Sequence, residues 1–388
     1  WVDNYQPTAN DADTLGPASE SAFSSSSSSA QGFDMLDAGD LAVEHMPSLS
    51  EHLTAQLNVD IIDQGERLIG KTLIESLNEN GYLETTLEAI ATARRARRTG
   101  VDTPGDMVDP AGVIHEMRLR KSDEEIECMR RAAKLTEQSH RRAMAVTRPG
   151  VREYQIRAAM EFEWTMAGCD RHAYPAIVGS GPNACILHYR AGPREMQDGE
   201  LVLVDAGCEV DYYACDVTRT WPVSGQFSEA QRTIYEIVLR AQEAAIGFCR
   251  VGIPFEVIHN KATRVLVEGL VEIGLLEGEV DDIIREETFK RFYMHRTCHW
   301  LGMDVHDVGA YYLGGTSRAL EPGMVLTVEP GLYISPSDSE VPEKYRGIGV
   351  RIEDDVLITV DGPDVLTETI PKTVADIEAL VGTQQLAS

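Results

Sequence analysis

Hydrophobic residues follow helical spacing over several long stretches of this chain and form short, unbroken runs between them. Helical spacing predicts a long helix from Ser122 to Pro149-Gly150 and a second helix over about 153–167. Two more helices are predicted, one capped by Ser228 and one starting at about Pro254. The apolar runs predict strands at 201–205, 213–221, 325–329 and 349–359. Because helices and strands occur in separate blocks, the sequence predicts an α+β fold.

The pattern is different at the start of the chain. Residues 1–47 are acidic and rich in serine, with too few apolar residues to offset the entropy cost of ordering, so a disordered segment is predicted. Residues 48–92 predict a small helical module, because the capping box Ser48-Leu49-Ser50-Glu51 precedes leucine and isoleucine at helical spacing. A linker is expected over 93–112, followed by a large domain over 113–388.

Composition excludes several classes of partner. The formal net charge of −28 over 388 residues argues against nucleic acid, because phosphate contacts need clustered lysine and arginine. No apolar run approaches the length that crosses a bilayer, so no membrane partner is expected. The seven cysteines are scattered and form no Cys-x-x-Cys pair, which is typical of reduced thiols and predicts a cytoplasmic location.

Acidic residues are placed at the ends of the predicted strands. One apolar run ends on Asp205, and a hairpin of the right length brings Asp216 opposite it. Two facing carboxylates are unfavourable without a partner, and a bound cation would relieve them. For this pair alone, an aspartate exposed in the turn is an equally good interpretation.

Three further segments favour a metal site. The apolar run 325–328 is followed directly by Glu329. In the strand predicted over 349–359, alternation places Arg351 and Glu353 on the same face. A stretch of twelve residues contains three histidines, namely His295, His299 and His306. Four carboxylates and one imidazole suit Mn²⁺ or a similar divalent ion better than a structural zinc. With so many carboxylates, two cations about 3.5–4 Å apart are the expected occupancy.

Five short segments occur in order within residues 113–380. They are Asp205-Ala206-Gly207, Cys215-Asp216-Val217-Thr218-Arg219-Thr220, His299-Trp300-Leu301-Gly302, Val328-Glu329-Pro330-Gly331 and Arg351-Ile352-Glu353-Asp354-Asp355. Together they resemble aminopeptidase P, the Xaa-Pro aminopeptidase branch of the pita-bread metallopeptidases. The resemblance implies a pita-bread fold and a cytoplasmic enzyme that cleaves peptides with proline at the second position, by attack of a hydroxide that bridges two divalent metal ions. Of the separate N-terminal domain usual in that family, only the last residues, around 99–119, have a counterpart here.

The resemblance also implies roles for individual residues. The implied metal ligands are Asp205, Asp216, His299, Glu329 and Glu353, of which Asp216 and Glu353 would bridge both ions. Glu329 is the candidate for carrying a proton to the leaving prolyl nitrogen, and Arg351 would orient the ligands.

Histidines complete the predicted site. The family keeps histidines around the substrate, and this sequence matches them with His188, His295 and His306. They are assigned to bind the peptide and to stabilise the tetrahedral intermediate. Structural packing is the alternative for His188 and His306.

The helical module carries a second resemblance. The segments Pro47-Ser48-Leu49-Ser50-Glu51-His52-Leu53, Glu66-Arg67-Leu68-Ile69-Gly70 and Asn80-Gly81-Tyr82-Leu83 resemble the core-binding region of sigma-54 transcription factors, over residues 47–90. This implies a contact with RNA polymerase through residues 48–90. The activator region, helix-turn-helix and promoter-reading box of that family are absent from the sequence.

Three alternatives to the aminopeptidase stay open at this point. One is a prolidase that acts on Xaa-Pro dipeptides, although the segments 293–297 and 346–353 favour aminopeptidase P. Another is an RNA polymerase binding protein, and the third is an inactive scaffold that still binds metal. A homo-oligomer is a further expectation.

Overall fold

A computed structural model describes residues 48–61, 63–78, 83, 86, 87, 90 and 109–385 except 170. Described residues up to Pro110 belong to one compact unit, and those from Ala111 onward belong to another. The predicted disordered segment 1–47 lies outside the described residues, and so does the predicted linker 93–112 apart from residues 109–112.

The N-terminal unit contains two helices, α1 (Leu49–Asp60) and α2 (Gln64–Ile74). The capping box expected at the start of α1 is present, because Ser48 Oγ accepts a hydrogen bond from the Glu51 amide and Glu51 accepts one from the Ser48 amide at 2.7 Å. The helices approach closely at Gly70, where a Cβ atom would lie 2.4 Å from Leu57 Cδ1.

The C-terminal unit contains seven α-helices within the described residues. They are α3 (Ala111–Leu119), α4 (Asp123–Val146), α5 (Glu153–Met166), α6 (Glu229–Ile246), α7 (Phe255–Glu272), α8 (Val280–Arg285) and α9 (Val374–Leu380). The predicted starts of α4 and α6 are confirmed, since Ser122 and Ser228 each form a capping box with the residue three positions later.

The strands of this unit are short and pair antiparallel throughout the described range. They are β1 (Ile177–Ser180), β2 (Leu201–Asp205), β3 (Glu209–Val210), β4 (Tyr213–Ala214), β5 (Thr218–Pro222), β6 (Tyr312–Leu313), β7 (Thr316–Ser317), β8 (Val325–Val328), β9 (Gly331–Tyr333), β10 (Gly349–Arg351), β11 (Asp354–Thr359) and β12 (Gly362–Val365). Two three-stranded sheets have the orders β1-β2-β5 and β12-β11-β8. The pairs β9–β10, β3–β4 and β6–β7 form separate two-stranded sheets, and the α+β class is confirmed.

Two predicted strands are interrupted, and both interruptions matter for function. The strand expected over 213–221 breaks between β4 and β5, and Asp205 pairs with Thr218 rather than facing Asp216. The strand expected over 349–359 breaks after Arg351, because β10 pairs with β9 whereas β11 pairs with β8. Glu353 lies at this change of partner, where its amide donates to the Thr218 carbonyl at 3.0 Å.

Apolar side chains cover both three-stranded sheets. Val204 and Trp221 belong to a large core cluster on β1-β2-β5, and Leu326 and Val356 belong to a second cluster on β8-β11. All four side chains are completely buried. Apolar burial of this kind contributes roughly 25 cal/mol per Å² and holds the ends of the strands in place.

A buried ion pair connects the two sheets. Arg219 of β5 contacts Asp354 of β11 at 2.6 Å, and both side chains are 0% exposed. Lys372 and Gln242 donate to the other carboxylate oxygen at 2.6 and 2.7 Å. No helix in the described part of the chain is both long and apolar enough to span a bilayer.

Candidate metal centre

The five predicted metal ligands lie where a strand ends or is interrupted. Asp205 ends β2, and Asp216 lies in the gap between β4 and β5. Glu329 separates β8 from β9, Glu353 lies between β10 and β11, and the carbonyl of His299 accepts a hydrogen bond from β8. Asp205 is still paired within its sheet, whereas Asp216, Glu329 and Glu353 lie outside the strands, where side chains need not alternate between two faces.

Three of these residues form a compact cluster. Asp216, His299 and Glu353 each offer a ligand atom, and these atoms lie within 4.8 Å of one another. His299 Nε2 is 3.3 Å from Asp216 Oδ2 and 3.5 Å from Glu329 Oε1. The other ring nitrogen of His299 lies 3.0 Å from the Trp300 carbonyl, so Nδ1 donates to that carbonyl and Nε2 is the ring nitrogen that faces the carboxylates.

Asp205 is linked to this cluster through hydrogen bonds. Its Oδ2 accepts from Arg351 Nη2 at 2.5 Å, and Arg351 Nε donates to Thr218 Oγ1 at 3.0 Å. Thr218 Oγ1 in turn donates to Glu353 Oε2 at 2.6 Å. Arg351 therefore contacts Asp205 directly and Glu353 through Thr218, and Tyr174 donates to the remaining Asp205 oxygen at 2.6 Å.

Negative charge is crowded into this buried space. Burial raises the pKa of Glu329 to about 8 and the pKa of Glu353 well above its usual value, and the nearby Asp216 charge raises both further. The pKa of Asp205 is also raised by burial, which the Arg351 charge opposes. Burial opposes a charge on His299, yet its hydrogen bond to Asp216 and the Glu329 charge raise the His299 pKa to about 9.

The donor set fits divalent cations. Carboxylate oxygens are the ligands that hard divalent ions prefer, and one imidazole nitrogen with a fixed tautomer is compatible with Mn²⁺. Buried carboxylates at this density are costly without a compensating positive charge. The centre therefore has both the ligand atoms and the electrostatic need for bound cations.

Two of the three other predicted histidines lie beside the predicted metal ligands. The His295 Nδ1 atom is 3.8 Å from Glu329 Oε2, and the His306 ring meets the His299 ring edge-on with centroids 4.4 Å apart. Burial lowers the pKa of His295 to about 3 and also lowers the pKa of His306. His188 is exposed, and its neighbours Leu187 and Tyr189 pack against an apolar cluster that contains Tyr333.

Two tyrosines belong to the site and were not predicted from the sequence. Tyr174 binds Asp205, and the Tyr333 hydroxyl lies 2.9 Å from both Arg351 Nη1 and His295 Nε2. These contacts depend on which strands pair, so no local sequence pattern identifies either tyrosine as part of the site. Thr218 lies within the segment 215–220, but the sequence alone predicts no role for it.

Comparisons with known proteins agree with this geometry. Residues 127–360 match metallopeptidase family M24, and residues 40–116 match the sigma-54 factor core-binding domain. The Xaa-Pro aminopeptidase of Escherichia coli K12 is 50% identical over 293 residues, which cover 76% of this chain and 66% of that protein. The Xaa-Pro aminopeptidase of Haemophilus influenzae is 48% identical over 276 residues, covering 71% of this chain and 64% of that protein.

A solved structure shows the same fold. Pseudomonas aeruginosa aminopeptidase PepP superimposes with a TM-score of 0.74 at 50% identity, covering 76% of this chain and 67% of that chain. The chain thus spans about two thirds of the length of these relatives. Both resemblances seen in the sequence and the expected pita-bread fold are confirmed. This chain belongs to metallopeptidase family M24.

Proposed function

We propose that this protein is a Xaa-Pro aminopeptidase, which hydrolyses the bond between an N-terminal residue and a following proline. The observation that carries the proposal is the cluster of Asp216, His299 and Glu353, whose ligand atoms lie within 4.8 Å of one another. Two findings support the proposal, namely membership of metallopeptidase family M24 and the name Xaa-Pro aminopeptidase given to the relatives that match most of the chain.

The proposed cofactor is a pair of divalent cations, with Mn²⁺ favoured by the oxygen-rich donor set. We assign five residues that would hold them, namely Asp205, Asp216, His299, Glu329 and Glu353. Two bound cations supply a nucleophilic hydroxide near neutral pH and Lewis-acid activation of the scissile carbonyl.

The side chains around the cations have separate tasks in this proposal. Glu329 takes up the proton released by the nucleophile and delivers it to the leaving prolyl nitrogen, since its carboxylate lies between His299 and His295 at the edge of the cluster. Arg351 keeps Asp205 and, through Thr218, Glu353 in fixed orientations.

The histidines are proposed to act on the peptide. His295 and His306 lie beside the carboxylates and His299, and the residues that flank His188 pack against the cluster that contains Tyr333. From there, hydrogen bonds from the three imidazoles are proposed to bind the peptide and to stabilise the tetrahedral intermediate. The tyrosine hydroxyl beside His295 holds that ring in a defined orientation.

We expect the purified protein to release the N-terminal residue from an Xaa-Pro-Xaa tripeptide when Mn²⁺ is added, and to lose this activity in EDTA. Release is measured by chromatography, with the matching Xaa-Ala-Xaa tripeptide as the control that should stay intact. Cleavage of Xaa-Pro dipeptides alone would indicate a prolidase. Absence of any cleavage by metal-loaded protein would overturn the proposal and favour the inactive scaffold.

A second proposal concerns the N-terminal unit. We propose that residues 48–90 contact RNA polymerase, because residues 40–116 match the sigma-54 core-binding domain. The described helices leave apolar side chains in solvent, including Leu49, Ile69 and Val59, of which Val59 is 79% exposed. Burial of these side chains against a partner would favour association.

Core RNA polymerase is expected to co-purify with the full-length chain in a pull-down. Val59→Asp should reduce the recovered polymerase several-fold, because it places a charge in the proposed interface. Val360→Asp is the matched control, since Val360 is also 79% exposed but lies in the C-terminal unit. Failure of the parent chain to retain polymerase would dispose of this contact.

A further inference from the structure

We propose that Glu153 is a positioning residue for the peptidase reaction, because its buried carboxylate fixes the segment 180–192 that carries His188. The inference rests on the proposed function, in which His188 binds the peptide. Glu153 lies at the start of α5, outside the five segments that resemble aminopeptidase P. Among the described residues, its carboxylate makes no hydrogen bond to a proposed metal ligand.

The carboxylate of Glu153 collects five hydrogen bonds from four residues, although Glu153 itself is 0% exposed. Oε1 accepts from the Ser180 amide and hydroxyl, both at 2.8 Å, and from Asn183 Nδ2 at 3.0 Å. Oε2 accepts from the Tyr189 hydroxyl at 2.8 Å and from the Gly192 amide at 3.2 Å. The two oxygens therefore hold the beginning and the end of one segment.

The chemistry of this contact requires a carboxylate. All five donors are uncharged N–H or O–H groups, and Arg194 adds a nearby positive charge because it donates to the Ser180 hydroxyl at 2.7 Å. An amide in place of Glu153 would keep one acceptor oxygen and turn the other into a donor. The Tyr189 hydroxyl and the Gly192 amide would then face a donor, and unpaired buried groups of this kind are costly.

The segment matters because the exposed His188 side chain has little packing of its own. The position of the ring therefore follows the position of the backbone. His188 directly precedes Tyr189, whose hydroxyl binds Glu153, and the Tyr189 amide donates to the Ile186 carbonyl at 3.2 Å. The neighbours of His188, Leu187 and Tyr189, pack against an apolar cluster that contains Tyr333, whose hydroxyl lies 2.9 Å from His295 Nε2.

A purely structural role for Glu153 predicts a different outcome. A carboxylate at the start of a helix also stabilises the helix itself. If that were its whole contribution, a variant that still folds would keep its turnover number. A positioning role predicts that folded variants lose turnover, and that the loss depends on the presence of His188.

The test is a double-mutant cycle on the metal-loaded full chain with an Xaa-Pro-Xaa tripeptide. We expect Glu153→Gln to lower kcat/KM by about 10- to 100-fold, because small misplacements of a catalytic group have effects of this size. Tyr189→Phe removes a single hydrogen bond, and a loss of roughly 3- to 10-fold is expected. In the His188→Ala background, each substitution should change kcat/KM by less than about twofold.

Glu137→Gln is the matched control. Glu137 is also a buried glutamate, but its carboxylate is paired with Lys134 and Arg141 on α4. We expect this variant to keep kcat/KM within about twofold of the parent. Bound metal should be unchanged in all variants, because none of these side chains is a proposed ligand.

Hydrogen exchange of residues 180–192 gives a readout that does not need activity. Glu153→Gln and Tyr189→Phe should accelerate exchange in this segment, whereas Glu137→Gln should not. Equal losses of kcat/KM with and without His188, or unchanged exchange in the segment, would overturn the inference. If the parent chain cleaves no Xaa-Pro peptide, the proposed function fails, while exchange still shows whether Glu153 holds the segment.

Discussion

Glu353→Gln is expected to reduce kcat/KM for an Xaa-Pro-Xaa tripeptide on the order of 10⁴-fold or more. Glu353 is 2% exposed and offers one of the three clustered ligand atoms. Glutamine has nearly the same shape, but it removes a negative charge and replaces one ligand oxygen by an amide nitrogen that cannot bind a cation. The hydrogen bond from Thr218 Oγ1 at 2.6 Å would also lose its charged acceptor.

Two measurements check this expectation together, namely steady-state cleavage and the number of metal ions bound per chain. Both should fall in Glu353→Gln. The same substitution at Glu137 serves as the control, since this buried glutamate lies outside the centre and should leave both quantities unchanged. Parent-like activity in Glu353→Gln would rule out the assignment of the metal centre.

Asp354→Asn is expected to lower the free energy of unfolding by about 3–5 kcal/mol. The Asp354 carboxylate contacts Arg219 and Lys372, both at 2.6 Å, and its side chain is 0% exposed. Removing its charge leaves the equally buried Arg219 without its carboxylate partner, which is the costly way to break a buried ion pair. Because the pair connects β5 and β11, both sheets should be destabilised.

Urea unfolding of metal-free protein, followed by tryptophan fluorescence, measures this loss without a contribution from bound cations. Asp364→Asn is the matched control. Asp364 contacts Arg130 at 2.5 Å, but the two side chains are 38% and 42% exposed, so a change below about 1 kcal/mol is expected. Similar losses in both variants would show that burial does not set the strength of the Arg219 pair.

Much of the fold was predictable because its signals are local. The serines that begin α4 and α6 precede a matching acceptor by three residues, and the apolar runs that become β2 and β8 lead directly to Asp205 and Glu329. Local patterns of this kind depend only on neighbouring residues, so one sequence suffices to recognise them. The ligand candidates at strand ends followed from the same reasoning.

The remainder depends on pairing between distant parts of the chain. Asp216 was expected to face Asp205, but the register places Thr218 there, and Thr218 consequently links Arg351 to Glu353. The break after Arg351 arises because β10 and β11 have different partner strands. A sequence pattern carries no information on such a change of partner, which is why the tyrosines and the threonine of the centre were missed.

The position of Glu353 late in the sequence also determines when, during synthesis of the chain, the proposed metal centre is completed. Its amide binds the carbonyl of Thr218 at 3.0 Å, and its carboxylate joins Asp216 and His299 from much earlier in the sequence. A nascent chain that ends at β8 already contains Asp216 and His299 but lacks this carboxylate. The complete set of proposed ligands is therefore available only after translation has passed residue 353, by which point nearly all of the C-terminal unit has been synthesised.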